Sequence, residues 1–330
     1  VGKLDQDDLD RKIIHALQID GRASFRRIAE VLDVSPQTVN RRYAQLRTSA
    51  ALKVVGLTHP GAVGQERWLL RVRCAPSAMG AVAQALARHE EAMWVHVTSG
   101  GTEIVCVAHN NEDAEPLLLG RLPRTPQVLA ITAHCILHSY YGGPDGFVNK
   151  ISPLSEEQVE ALGPLPAERV DPIALTDLDR ALLKVLRSDG RATFQDLARA
   201  GGCAQSTAQR RVAELYQQGV LYFDVDHSED VFSRARNAML WLSVAPNRLD
   251  SVGRALAAHS EISFAASTTG TTNLFAVVSC TSTRALHQYL TGPLAALPGV
   301  SAAETAPVIR MLKRSGQLVG QPGTGRRTSG

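Results

Sequence analysis

The 330 residues carry 35 Lys and Arg against 32 Asp and Glu, a formal charge of +3, and 44% of them are hydrophobic. That balance excludes wholesale disorder, and no apolar run approaches the roughly 18 residues of a membrane span. A net charge this small does not announce a nucleic-acid binder, so any such case rests on where the charge sits. Five cysteines (Cys74, Cys106, Cys135, Cys203, Cys280) are odd in number and form no C-x-x-C, which argues against a disulfide framework or a zinc site. The start, Val1 to Asp8, is acidic where a secretory signal would be apolar, so the cytoplasm is the expected compartment.

Leu9, Ile13, Ile14 and Leu17 recur at helical spacing and predict a first helix from Asp7 to about Gln18, stopped by Asp20-Gly21-Arg22. A short helix follows from about Phe25 to Leu32. Ser35 then suits the N-cap of a third helix and Pro36 its first position. Val39, Tyr43 and Leu46 fall on one inward stripe of that helix. Gln37, Asn40 and Arg41 point away from it, with Thr38 and Arg42 on the flanks. Three short helices with a tight turn before the third make a helix-turn-helix, whose third helix enters the major groove. Gln and Asn pair with adenine there, Arg with guanine, and Thr with the thymine methyl or a phosphate. Leu52 to Gly56 reads as a strand, a wing beside the helices.

A second kind of module follows: a strand from Trp68 to Cys74, a helix from Ser77 to His89, and strands Met93 to Thr98 and Glu103 to Ala108 around a glycine turn. A helix from about Glu112 to Leu119 and a strand from about Val128 to His138 complete it. The order βαββαβ is a ferredoxin-like sandwich. Its uncovered sheet face still carries apolar residues, as a face that packs on another copy does.

The chain then repeats itself. Leu9-Asp10-Arg11 returns as Leu178-Asp179-Arg180, Asp20-Gly21-Arg22-Ala23 as Asp189-Gly190-Arg191-Ala192, and Thr38, Arg41 and Arg42 as Thr207, Arg210 and Arg211, all at an offset of 169. Ala85-Leu86-Ala87 with His89 returns at an offset of 170 as Ala255-Leu256-Ala257 with His259. The expected organisation is therefore α+β, with two winged helix-turn-helix modules and two ferredoxin-like modules in alternation. The boundaries are 1–60, 61–142, a linker at 143–172, 173–230, 231–315 and a disordered tail at 316–330. Pro144, Pro153, Pro164, Pro166 and Pro172 mark the linker, and Ser155-Glu156-Glu157-Gln158 is a capping box that starts one short helix inside it.

An Arg pair on a helix is ordinarily a solvated face, but this one recurs in both copies just inside a helix that follows a tight turn. The candidate DNA contacts are Ser35, Gln37, Thr38, Asn40, Arg41 and Arg42, with Ser206, Thr207, Gln209, Arg210 and Arg211 in the second copy. From Gly21 to Lys53 seven basic residues (Arg22, Arg26, Arg27, Arg41, Arg42, Arg47, Lys53) face two acidic ones. From Gly190 to Tyr222 four (Arg191, Arg199, Arg210, Arg211) face two, so the first copy is expected to grip DNA harder. Gly201-Gly202-Cys203-Ala204 replaces Leu32-Asp33-Val34-Ser35, which removes the N-cap hydroxyl and predicts an early end to the second helix of that copy.

These motifs and their order resemble the Lrp/AsnC (leucine-responsive, feast/famine) family of prokaryotic transcription factors. The resemblance implies a C-terminal RAM-type module that dimerises and binds an amino acid or similar metabolite near its middle turn. The tandem chain is then a covalent pseudo-dimer that assembles further, its partners being double-stranded DNA and a small effector, with no membrane and no cofactor. The family turn reads Thr-Gly-x-(aromatic)-Asp. Here it reads Ser99-Gly100-Gly101-Thr102-Glu103 and Thr269-Gly270-Thr271-Thr272-Asn273, both without the aromatic. The implied effector residues are Ser99, Gly100, Thr102 and Glu103, with Thr269, Gly270, Thr272 and Asn273. The plain alternative is two glycine hairpin turns.

Two rival readings share this architecture. The sirohaem decarboxylases carry a Tyr and an Arg after a strand histidine, whereas this chain has Trp94-Val95-His96-Val97-Thr98 and Phe264-Ala265-Ala266-Ser267. The other rival is an architectural DNA-binding protein with no effector. His134 and His138 share a strand face and suit a core or interface role better than a metal. No residue set has a catalytic spacing.

Overall fold

The computed structural model describes residues 8–49, 52–109, 122–143, 154–163, 172–226 and 236–319. The predicted helix at Glu112–Leu119, much of the linker and the tail beyond 319 lie outside these residues. In chain order come α1 (Asp8–Ile19), α2 (Phe25–Leu32), α3 (Pro36–Ser49), β1 (Lys53–Thr58), β2 (Arg67–Cys74), α4 (Met79–Arg88), β3 (Ala92–Thr98), β4 (Glu103–His109) and β5 (Val128–Tyr141). Then follow α5 (Glu156–Leu162), α6 (Asp177–Ser188), α7 (Phe194–Gly201), α8 (Gln205–Gln217), β6 (Leu221–Asp226) and β7 (Arg236–Val244). The series ends with α9 (Leu249–Ala258), β8 (Ile262–Thr268), β9 (Leu274–Cys280), α10 (Thr283–Tyr289), β10 (Val300–Arg314) and β11 (Gln317–Leu318). The chain forms two units, Val1–Arg67 with His134–Pro307, and Trp68–Ala133 with Val308–Gly330.

Both helical modules lie in the first unit and share one core. Ile13, Ile14, Leu17 and Ile28 of the first copy join Leu182, Leu186, Leu197 and Leu215 of the second. The strands expected to be wings pair with one another: β1 and β6 run antiparallel from Lys53 opposite Asp226 to Thr58 opposite Leu221. Pairing satisfies backbone groups that a lone strand would leave open.

The repeated Asp-Gly-Arg does more than stop a helix. Asp20 and Asp189 each accept the N–H of the arginine two residues on, at 2.9 Å, which turns the chain. A Cβ on Gly21 would lie 2.5 Å from Cβ of Phe223, so only glycine admits the second module this close. Arg22 and Arg191 then reach into each other's loops. The charge count above placed both on the DNA side; the structure places them between the modules.

The segment at 154–163 is not a free tether. Its helix α5 has the predicted capping box, Leu154 and Leu162 are buried in the helical core, and Gln158 Nε2 donates to the Val31 carbonyl at 3.0 Å. Arg27, also counted toward DNA, donates to the Ala161 carbonyl at 3.0 Å.

In the first unit β8, β9, β7 and the start of β10 form the four-stranded antiparallel order of a ferredoxin-like sheet, and β5 from Ile136 to Tyr141 pairs beyond β8. The second unit has β3, β4, β2 and the start of β5, with β10 from Val308 pairing beyond β3. This is why β5 has 14 residues and β10 has 15, against a common strand length of about 5–6. The buried Lys313 fixes the end of β10, its Nζ donating to the His89 carbonyl at the C-terminus of α4 at 2.6 Å. His89 and His259 close equivalent helices, as their positions predicted.

Candidate nucleic-acid interface and effector turns

The first recognition helix, α3, is set by its N-terminus. Ser35 Oγ accepts the Thr38 N–H at 3.1 Å and lies 2.9 Å from Thr38 Oγ1. Val39, Tyr43 and Leu46 are buried and Gln37, Asn40 and Arg41 exposed, as the helical stripe requires. Arg42 turns back instead, its Nη1 lying 3.6 Å from Asp10 of α1. Candidate contacts on α3 thus separate into an exposed set and an arginine held against the first helix.

In the second copy α8 begins at Gln205 with Ala204 as an N-cap that offers no side-chain hydrogen bond, as expected. The predicted early end of the preceding helix does not occur. Both α2 and α7 have eight residues, and Gly202 takes the left-handed cap (φ 59°) that Asp33 takes in the first copy (φ 53°). Glycine reaches that region without strain, so the double glycine ends the helix on time. Ser206, Gln209 and Arg210 are exposed and Thr207 is half-buried. Arg211 makes a fork onto Asp179, Nε to Oδ1 at 2.6 Å and Nη2 to Oδ2 at 3.0 Å, and a further bond to Glu214 at 2.9 Å. Burial pushes the Asp179 carboxyl up, but the hydrogen bonds from Arg211 and Thr176 outweigh it and leave the group below the ordinary carboxylate range.

The two glycine turns differ. In the first, Ser99, Gly100 and Gly101 all have positive φ, and a Cβ on Gly100 or Gly101 would meet nothing within 4 Å. Thr102 Oγ1 donates to the Ser99 carbonyl at 2.8 Å. The buried Glu103 carboxylate is forked by Arg71, at 2.8 and 3.2 Å. In the second, the strand β5 closes on the turn. His134 Nδ1 lies 2.6 Å from the Thr269 carbonyl, and the backbone of Cys135 bonds to Thr269 twice, at 2.9 Å each. A Cβ on Gly270 would sit 2.4 Å from His134 Nδ1. Asn273 is held by Val244, accepting its N–H at 2.9 Å and donating to its carbonyl at 2.8 Å, while Thr268 Oγ1 donates to the Thr272 carbonyl. Glu103 and Asn273 therefore already have protein partners.

Glu214, Asp10, Asp179, Arg71 and His134 all shape these sites and were not singled out as site residues by sequence reasoning. The i,i+4 spacing of Arg210 and Glu214 was a usable signal. The other partners are brought together only by the fold.

The AsnC-type helix-turn-helix domain is matched twice, at residues 7–47 and 175–215, and the Lrp/AsnC ligand binding domain at residues 237–318. The HTH-type transcriptional regulator LrpA of Mycobacterium tuberculosis is 32% identical over 122 residues, 79% of its own length and 36% of this chain. The chain belongs to the Lrp/AsnC family of transcriptional regulators. Another relative, the HTH-type transcriptional regulator FL11 of Pyrococcus abyssi, is 24% identical over 147 residues. That stretch is 97% of FL11 and only 44% of this chain, as a tandem Lrp/AsnC chain requires. Among solved structures, the siroheme decarboxylase NirDL covers 93% of each chain with a TM-score of 0.63 at 14% identity, a likeness of fold alone. Among the described residues no helix is long and apolar enough to cross a membrane.

Proposed function

We propose that this chain is a sequence-specific DNA-binding regulator that carries both reading heads on one polypeptide and responds to an amino acid or related small metabolite. The observation that carries this reading is the pair of helix-turn-helix modules mounted on one another through the reciprocal Arg22 and Arg191 contacts. Gln37, Asn40, Arg41, Ser206, Gln209 and Arg210 read DNA from exposed helix faces. Thr38 and Thr207 sit on the flanks, and Ser35 orders the start of α3. Arg42 and Arg211 hold the recognition helices in place. The effector belongs at the turns around Gly100 and Gly270, and the chain assembles further in the cytoplasm.

The reading heads differ in sequence, so the preferred site is an imperfect palindrome with unequal half-sites about 10 base pairs, or a multiple of that, apart. Selection of genomic fragments on the purified protein, with and without an amino-acid pool, tests both parts. Enrichment of no common site would defeat the regulator reading, and an unchanged set with the pool would leave an architectural binder. We also propose that the chain is not an enzyme. His96 lies buried on β3 and is followed by Val97 and Thr98, without the Tyr and Arg that the sirohaem decarboxylases carry after their strand histidine. Incubation with sirohaem and a Soret-band scan tests this: a shifted band with loss of carboxylate would establish the decarboxylase.

A further inference from the structure

The two recognition helices carry the same arginine pair in different electrostatic settings. In α8, Glu214 stands one helical turn beyond both arginines, its Oε1 accepting from Arg210 Nη1 and its Oε2 from Arg211 Nη1, each at 2.9 Å. Arg211 is also forked by the fully buried Asp179, so two guanidinium groups face two carboxylates. In α3 the position equivalent to Glu214 is Gln45, a neutral amide, and Arg42 Nη1 lies 3.6 Å from Asp10. Arg41 is exposed and has no ion pair among the described residues.

Duplex DNA attracts a recognition helix chiefly through phosphate neutralisation. A carboxylate on that helix acts twice against it, by direct repulsion and by keeping the guanidinium groups in pairs that phosphate must break. The exposed pair of Arg210 with Glu214 adds little to folding stability, so its main effect falls on binding.

We propose that Glu214 sets the DNA affinity of the second reading head below that of the first, by repelling phosphate and holding the exposed Arg210 in an intramolecular ion pair. This rests on the DNA-binding reading above. Glu214 is a positioning residue: it touches the arginines rather than the bases, and its identity decides which half-site dominates. Arg211 and Arg210 hold the Glu214 carboxyl below its ordinary range, so it is fully charged wherever the protein binds DNA.

The experiment compares the full chain with E214Q, Q45E and the double exchange on one duplex selected by the wild-type chain. Gln is as good a helix former as Glu, and Arg211 keeps Asp179, so α8 remains folded. E214Q is expected to bind about threefold to tenfold tighter, with a salt dependence steeper by about 0.9 for each phosphate newly neutralised. Q45E is expected to bind more weakly by a similar factor. In the double exchange, footprint protection should become stronger at the half-site that was weaker in the wild type. Wild-type binding with unchanged affinity, salt slope and protection order in E214Q and the double exchange would overturn the proposal and leave the regulator reading standing. A wild-type chain that selects no duplex would remove both.

Discussion

Arg22 and Arg191 exchange places across the paired helical modules. Arg22 donates to the carbonyls of Gly190 and Ala192 at 2.7 and 2.9 Å, and Arg191 to those of Gly21 and Ala23 at 2.7 and 3.0 Å. Each guanidinium also lies over the other copy's aromatic ring, Arg22 at 4.5 Å from the Phe194 centroid and Arg191 at 4.8 Å from that of Phe25. Burial, and for Arg22 the nearby Arg191, lowers the pKa of these guanidinium groups. Both remain charged, since an arginine does not lose its proton in a protein.

Either arginine changed to Ala is expected to destabilise the chain by about 2 kcal/mol, the scale of losing charge-assisted hydrogen bonds to buried carbonyls. The double change should cost more than the two single changes together, because each single change already relieves the repulsion between the two guanidinium groups and the double change relieves it only once. Lys should not rescue, since an ammonium cannot fork two carbonyls. Urea denaturation of the four proteins gives the coupling directly, and full additivity would show that the two arginines do not sense each other.

Arg41 and Arg42 are adjacent in sequence but separate in function. Arg41→Ala should weaken DNA binding at least tenfold, the scale of losing one bidentate base contact, and leave thermal stability within about 0.5 kcal/mol, as for other exposed positions. Arg42→Ala should lower stability, because the contact that holds α3 against Asp10 of α1 is lost. Mobility shifts beside thermal melts separate the two, and a pair of variants with indistinguishable profiles would contradict the placement of Arg42.

Much of this arrangement was legible in the sequence because it depends on local rules. The bounds of α2, the Ser155 capping box and the inward Val39, Tyr43 and Leu46 follow from periodicity and capping chemistry. The role of Asp-Gly-Arg was not legible, since the partner of Arg22 lies on a loop about half a chain away and local reading sees only a helix stop with a spare charge. For the same reason Arg22, Arg27 and Arg191 were counted toward DNA. Asp179 stood in a recognised repeat, yet its pairing with Arg211 exists only once α6 and α8 pack. The pairing of β1 with β6 and the closure of the Gly270 turn by His134 likewise need the tertiary fold.

Asp179 gives the chain an acid-sensitive contact. Its folded pKa is depressed, so its contribution to stability is complete above the unfolded carboxylate value and disappears as pH falls through the folded value. Asp179→Asn should therefore be less stable than wild type at neutral pH by roughly 1–3 kcal/mol. The gap should narrow below about pH 4, where the wild-type carboxyl begins to protonate in the unfolded chain. Denaturation across pH 3–7 measures this (about the range over which carboxylates titrate), and a constant gap would show that the Arg211 fork does not depend on the charge of Asp179.

Asp33 caps α2 in the left-handed region at φ 53°, where the second copy uses Gly202. Its charge also sits at the negative end of the helix dipole. Asp33→Gly should gain roughly 0.5 kcal/mol, because removing the strained conformation and the unfavourable charge outweighs the added freedom of the unfolded chain. Gly202→Asp should cost about as much. Melting both variants checks the sign, and a loss in Asp33→Gly would mean that the aspartate contributes an attractive interaction at the cap.

Gly100 and Gly270 occupy equivalent turns with unequal surroundings, and alanine should reveal the difference. At Gly100, φ is 69° and a Cβ would project into open space, so the cost is only that of a left-handed alanine, about 1 kcal/mol. At Gly270, φ is 107° and the Cβ would strike the His134 ring, whose Nδ1 is engaged by the Thr269 carbonyl. The ring cannot withdraw without breaking that bond and disturbing the strand pairing of β5 with β8. Gly270→Ala should therefore cost at least about 2–3 kcal/mol, backbone strain and steric displacement together. His134→Ala removes the obstacle at the cost of one hydrogen bond, so adding Gly270→Ala to it should cost only the backbone strain of alanine at φ 107°, less than Gly270→Ala costs in the wild-type chain. Guanidinium denaturation of the four variants tests the cycle. Equal losses at the two glycines, or no relief from His134→Ala, would show that the closure of the second turn does not hold in solution.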